Sequence, residues 1–207
     1  PTDFEMLGTT ATITSIVMQG GSSSSYLATV SGGDLADLNG SVRLILSASQ
    51  DIENLAGAPL TDLATVNPED TIVNNTRPDC AFTTAATAPV TSTFTVDVTC
   101  TPQNGWADTI IGFESSDLVL SNASLESFSF TSSTYAGSFV LRPLDSGTVT
   151  VDLPADSLYD EASNTNTAST QFSISSDVTV PTVTMNPWSL SPYSGPLTLG
   201  ITFSESV

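Results

Sequence analysis

Histidine and lysine are absent from this 207-residue chain, and all of its side-chain positive charge rests on Arg43, Arg77 and Arg142. Without histidine, a serine triad in its usual form, a Cys–His nucleophile pair and an ordinary Cys/His zinc site are all excluded. Against 22 acidic residues the formal charge is −19, which repels phosphate backbones and anionic lipid heads at close range. Neither nucleic acid nor a membrane surface is expected as a partner. No apolar run reaches the roughly 18 residues that a membrane-spanning helix needs, so no membrane insertion is expected. The first thirty residues lack the basic start and apolar block of a signal peptide, which suggests a mature or excised segment. The Lys, Glu and Gln on which long surface helices rely are absent or few, dense D-x-D-x-D runs are missing, and only two cysteines occur.

What the chain does have is Thr, Val and Ser in short alternating runs broken by Gly, Asn, Asp and Pro, the pattern of strands with one buried face. These runs repeat. RPDCAFTTAATAPVTSTFTVDVTC from Arg77 lies over VPTVTMNPWSLSPYSGPLTLGITF from Val180 without a gap, at an offset of 103, with Pro78 on Pro181. Phe94, Val96, Val98 and Cys100 fall on Leu197, Leu199, Ile201 and Phe203. GSVRLIL from Gly40 lies over GTVTVDL from Gly147, so that Val42, Leu44 and Leu46 match Val149, Val151 and Leu153. SSSYLATVSG from Ser23 and TDFEMLGTTATI from Thr2 find counterparts starting at Ser132 and Ser116. An all-β protein of tandem β-sandwich domains with almost no helix is expected.

The repeat divides the chain into residues 1–77, a domain lacking its first two strands, residues 78–179, a complete domain, and residues 180–207, the first two strands of a further one. The outer pieces together hold 105 residues against 102 in the intact copy. The expectation is that residues 180–207 complete the 1–77 domain of a neighbouring copy, or that the sequence is a window on a longer array. The run Val178–Pro181, with two valines, a threonine and a proline, predicts a short, stiff linker.

The succession of the FTV-x-VT strand, the S-D-L-V-L-x-N-A segment, the GTVTV-x-LPA strand, the D-x-A-x-N loop and the SSDVTVPTVT linker resembles the bacterial-type Ig-like repeats of large cell-surface adhesins and of flagellar-hair (mastigoneme-like) filament proteins. That resemblance implies Greek-key Ig-like domains, an extracellular or cell-surface location, and a structural rather than enzymatic role in a stalk or filament. The first copy departs from the pattern where Ser47 replaces Pro154 and LAGAP replaces ASNTN.

Cys80 and Cys100 match apolar, inward-facing counterparts, so they read either as a disulfide or as a pair of buried thiols. Asp156, Asp160 and Glu161 share one loop and read as a solvated turn. For calcium, the hard cation that stiffens extracellular joints, the candidates are Asp70 and Asp177 at the two linkers, with Glu114 and Glu205 in loops facing them. Asn39, Asn74 and Asn122 begin glycosylation sequons, which a chain this rich in Ser and Thr also yields by chance. The expected interface comprises Val183, Met185, Leu197, Leu199, Ile201 and Phe203 on one strand face, with Trp188 and Tyr193 at a joint. Trp106 and Trp188 also offer surfaces on which a glycan ligand would stack, so an adhesive or carbohydrate-binding module is the competing expectation.

Overall fold

A computed structural model describes residues 3–21, 24–61, 70–101, 109–185 and 200–207. The chain is all-β, with antiparallel sheets and, among the described residues, two single-turn 3₁₀ helices at Ser115–Asp117 and Ser132–Thr134. In chain order the strands are β1 (Phe4–Leu7), β2 (Thr12–Met18), β3 (Tyr26–Ser31), β4 (Gly40–Leu46), β5 (Thr71–Val73), β6 (Asp79–Thr83) and β7 (Phe94–Thr101). They continue as β8 (Val119–Ser121), β9 (Ala123–Thr131), β10 (Ala136–Pro143), β11 (Gly147–Asp152), β12 (Phe172–Ser176), β13 (Val183–Met185) and β14 (Ile201–Phe203).

Strands β6 to β12 form two sheets around one core, in the orders β6-β7-β10-β9 and β12-β11-β8. The period-two pattern of FTVDVTCT is realised residue by residue in β7, where Phe94, Val96, Val98 and Cys100 are buried and the residues between them exposed. Their side chains meet Phe139 and Leu141 of β10 and Val149 and Val151 of β11, all at most 1% exposed. Each such side chain contributes about 1.5–3 kcal/mol by removal from water. Phe82 stands edge-on to Phe139, with ring centres 5.8 Å apart, and Phe113 stands edge-on to both Phe128 and Phe130. Cys80 lies directly opposite Cys100 across β6 and β7, and the two form a disulfide.

Strands β1 to β5 repeat this layout without its first hairpin. The order β1-β4-β5 mirrors β8-β11-β12, and β2-β3 mirrors β9-β10. The registers agree: Met6 opposes Leu44 as Leu120 opposes Val151, and Gly40 opposes Val73 as Gly147 opposes Ser176. A bulge skips Thr14 in β2 and Glu126 in β9, just past the pairs Ile13–Val30 and Leu125–Leu141. In the second unit β10 pairs on its other edge with β7, whereas β3 has no second neighbour among the described residues. The consequence appears in the core. Ala11 and Val42 are the buried hydrophobic residues of the first unit among those described, while Tyr26 and Leu27 of β3 are more than half exposed.

The remaining hairpin, β13–β14, pairs Val183 with Phe203, Thr184 with Thr202 and Met185 with Ile201. Shifted by the repeat offset, these are the pairs Cys80–Cys100, Ala81–Thr99 and Phe82–Val98 of β6–β7.

Candidate functional site

Two linkers and one open sheet face concentrate the features that sequence alone does not explain. The first linker, residues 74–78, leaves β5 and enters β6. Asn74 turns the chain by accepting the Thr76 N–H on Oδ1 at 3.0 Å, which leaves its Nδ2 to donate to Asp160 Oδ2 at 3.2 Å. Asn164 donates from its own side chain to the Asn74 carbonyl at 2.9 Å. Asn75 faces the other way, donating to the carbonyls of Leu35 and Leu38, and its N–H is received by Asn39 Oδ1 at 2.8 Å. Arg77 then donates to the Thr165 and Asn166 carbonyls at 2.7 and 2.6 Å and pairs with Asp156. The linker is thereby gripped by the first unit on one side and by the 154–167 loop of the second on the other.

That loop is organised by Asn166, which is fully buried. Its Oδ1 accepts the N–H groups of Ser157 and Leu158, and its Nδ2 donates to the carbonyls of Pro154 and Thr167. Asp160 is also buried, at 2% exposure, with Oδ1 accepting the Asn164 N–H. The reading of this loop as a solvated turn is therefore corrected at Asp160, whose carboxylate is a joint contact. Asp156 remains at the surface, paired with Arg77. Glu161 accepts from the Thr109 hydroxyl.

The second linker repeats the first. Asp177 Oδ1 accepts the Thr179 N–H at 3.1 Å, as Asn74 does for Thr76, and Ser146 Oγ accepts the Val178 N–H at 2.9 Å, as Asn39 does for Asn75. Hydrogen bonds from Thr179 and from the Ser146 hydroxyl hold the Asp177 carboxyl below the usual carboxylate range.

The calcium candidates are not brought together. Asp70 lies beside β5, directly across from Arg43, and the 2.6 Å ion pair with that guanidinium lowers its pKa. By strand register the residue that corresponds to Asp177 is Asn74, and Asp70 pairs with Arg43 instead, so Asp70 is corrected as the matching joint residue. Glu114 caps the first 3₁₀ turn, its N–H donating to Asp117. Glu205 follows β14, with Oε1 shielded from solvent and unpartnered among the described residues. No group of three or more acidic, Cys or His side chains is placed to hold a metal ion among the described residues. Of the sequon asparagines, Asn39 is exposed, Asn74 is engaged at the joint, and Asn122 donates to the Asp145 carbonyl at 2.9 Å.

Val183, Met185, Ile201 and Phe203 are 49%, 67%, 57% and 46% exposed, although Cys80, Val98 and Cys100 at matching positions are buried. Trp106, Trp188, Tyr193, Leu197 and Leu199 lie outside the described residues. No described helix is long and apolar enough to cross a membrane. The residues sequence reading missed are Asn75, Arg77, Asn164 and Asn166. No protein-family model matches the chain, and neither a curated protein nor a solved structure matches it.

Proposed function

We propose that this chain is a structural repeat module of an extracellular stalk or filament, in which Ig-like sandwiches follow one another through stiff joints and each is completed by a leading hairpin. The carrying observation is that β13–β14 reproduces the register of β6–β7 while leaving open the face that β6–β7 buries. The first unit offers the matching edge along β3, which has no second neighbour among the described residues. A strand edge beside uncovered apolar side chains is the setting in which strand addition from another segment is favourable. The Ig-like reading is supported by strand order: counted from its own first strand, the second unit runs 1-2-5-4 in one sheet and 3-6-7 in the other, the arrangement of constant-type immunoglobulin domains. The disulfide differs from the inter-sheet bond of antibody domains, since it joins neighbouring strands of one sheet. An oxidising, extracellular compartment accommodates such a bond.

In this reading the hairpin enters a first unit, that of the next copy or of a continuing tandem array, and the chain as given associates head to tail through that contact. Sedimentation velocity over a concentration series tests it. The chain should grow in size with concentration, and Ile201→Asp/Phe203→Asp should remain monomeric with an unchanged circular dichroism spectrum. A parent chain that stays monomeric throughout would overturn the reading.

A further inference from the structure

The contacts that fix the first joint have counterparts elsewhere in the chain, with their polarity exchanged. The 158–166 turn is closed by Asp160 N–H to the Asn164 carbonyl, Asn166 N–H to the Leu158 carbonyl, and Asn164 N–H to Asp160 Oδ1. The 52–60 turn of the first unit has the same three bonds: Asn54 N–H to the Ala58 carbonyl, Leu60 N–H to the Ile52 carbonyl, and Ala58 N–H to Asn54 Oδ1. Asn54 therefore occupies the place of Asp160, Pro59 that of Thr165 and Leu60 that of Asn166.

In each turn Oδ1 is committed to the backbone, and the other side-chain atom is left to face outward. For Asp160 that atom is an acceptor, Oδ2, and it receives Asn74. For Asn54 it is a donor, Nδ2, with no hydrogen bond among the described residues, because Oδ1 takes the N–H groups of both Ala56 and Ala58. The linkers show the reverse exchange. Asn74 presents a donor once its Oδ1 has capped Thr76, whereas Asp177 presents an acceptor, Oδ2, once its Oδ1 has capped Thr179. The donor–acceptor pair Asn74–Asp160 thus has a mirror-image pair, Asp177–Asn54.

A second exchange lies beside the first. Arg77, which grips the polar stretch Thr165–Asn166, is matched at the second linker by Val180, which is 77% exposed. The residues in place of Thr165 and Asn166 are Pro59 and Leu60, and Leu60 is 39% exposed. A guanidinium on main-chain carbonyls at one joint is thus matched at the other by an exposed valine and a turn that carries exposed apolar side chains. Turn capping alone accepts Asn or Asp at either position, so capping gives no reason for opposite types to stand at facing positions. Contact between them does.

We propose that the joint at Asp177–Pro181 is a docking surface for the 52–60 turn of a second copy of this chain, with the Asn54 amide on the Asp177 carboxylate and Pro59 and Leu60 against Val180. The inference rests on the head-to-tail reading above and adds a selection rule to it. This joint takes the turn of a first unit and rejects that of a second unit, whose Asp160 would oppose Asp177 with like charge.

Sedimentation velocity on the whole chain tests the rule through an exchange cycle. Asn54→Asp sets two carboxylates against each other and is expected to raise the midpoint concentration of association about tenfold. Its fold should be unaffected, because Asp160 already closes the sister turn, and circular dichroism checks this. Adding Asp177→Asn re-creates the Asn74–Asp160 pair and is expected to return the midpoint to within about twofold of the parent. An Asn54→Asp chain that associates like the parent, or a double variant no better than the single one, overturns the rule. If the parent associates and Phe203→Asp prevents it while Asn54→Asp has no effect, the docking contact fails and the head-to-tail reading stands. A parent that never associates removes both.

Discussion

The guanidinium of Arg77 donates to the backbone carbonyl of Asn166 at 2.6 Å, tying residues 89 positions apart. The bond places the end of the linker on the main chain of the residue about which the 154–167 loop is built. Asn166 lies on the inside of that loop, and its four side-chain hydrogen bonds satisfy backbone groups of the loop, that of Leu158 fully buried.

Asn166→Ala is therefore expected to cost about 2–4 kcal/mol, since it orphans two N–H groups and two carbonyls at once. Asn166→Leu should be no better, even though leucine stands at this place in the first unit, because the first unit supplies Gln50 to bond Ile52 N–H and the Leu60 carbonyl. Urea unfolding monitored by intrinsic fluorescence measures the loss, and a value below about 1 kcal/mol would mean the loop is not organised by this residue.

Register makes a sharper demand on head-to-tail assembly than size does. Ala136 opposes Thr99 where β10 meets β7, and the matching residues of the first unit and the trailing hairpin are Ser25 and Thr202. A Ser25→Cys/Thr202→Cys chain, mildly oxidised, is expected to form a covalent ladder on a non-reducing gel. Moving one cysteine by a single residue turns its side chain to the other face of the sheet, so Ser25→Cys/Phe203→Cys should lose the ladder. A cross-linked monomer in place of the ladder would show that the hairpin closes on its own first unit.

Much of this was legible in the sequence, for a simple reason. A strand with one buried face writes its orientation into alternate residues, so Phe94, Val96, Val98 and Cys100 could be read as inward without knowing what they touch, and the structure buries all four. The gapless offset between Cys80 and Val183 likewise carried the register of the two hairpins. The joint was harder. Asp70 carries the charge near the first linker, but the residue four before Pro78, as Asp177 is four before Pro181, is the neutral Asn74. Asn164 and Asn166 left no comparable signal: a buried, fully bonded asparagine has the same letter as one in a solvated turn, and only tertiary contacts distinguish them.

The disulfide closes a stretch with a sequence separation of 20. Loss of that constraint on the unfolded chain is worth about 3 kcal/mol. Cys80→Ala/Cys100→Ala, which also removes buried sulfur, is expected to lower the urea midpoint of the second unit at least as far as reduction of the parent does. A reduced parent with an unchanged midpoint would contradict this.

Asp34 gives a pH-dependent signature for the first unit. The Thr9 hydroxyl and the Thr10 N–H donate to its carboxylate and hold its pKa below the usual carboxylate range. With the folded value depressed, the unfolded chain takes up the proton first as pH falls. The stabilisation is present above the ordinary carboxylate pKa and disappears as pH drops through the lower folded value. Asp34→Asn should therefore melt below the parent at neutral pH, with the gap closing by about pH 2. A gap that stays constant over this range would show that the charge contributes nothing.

Tension along the chain would meet the second unit at the start of β6, where Asp79 is followed at once by Cys80. From there the load crosses to Cys100 through a covalent bond, and the residues between the two cysteines drop out of the extensible length. Val90, inside that shielded stretch, also bridges Ser176 at the exit strand. In the β13–β14 hairpin the same crossing point is held by Val183 and Phe203, which can slide apart. Pulled from both ends, the second unit would thus lengthen only through residues outside 80–100, whereas the trailing hairpin has no covalent tie at the matching place and would be drawn out through all of its residues.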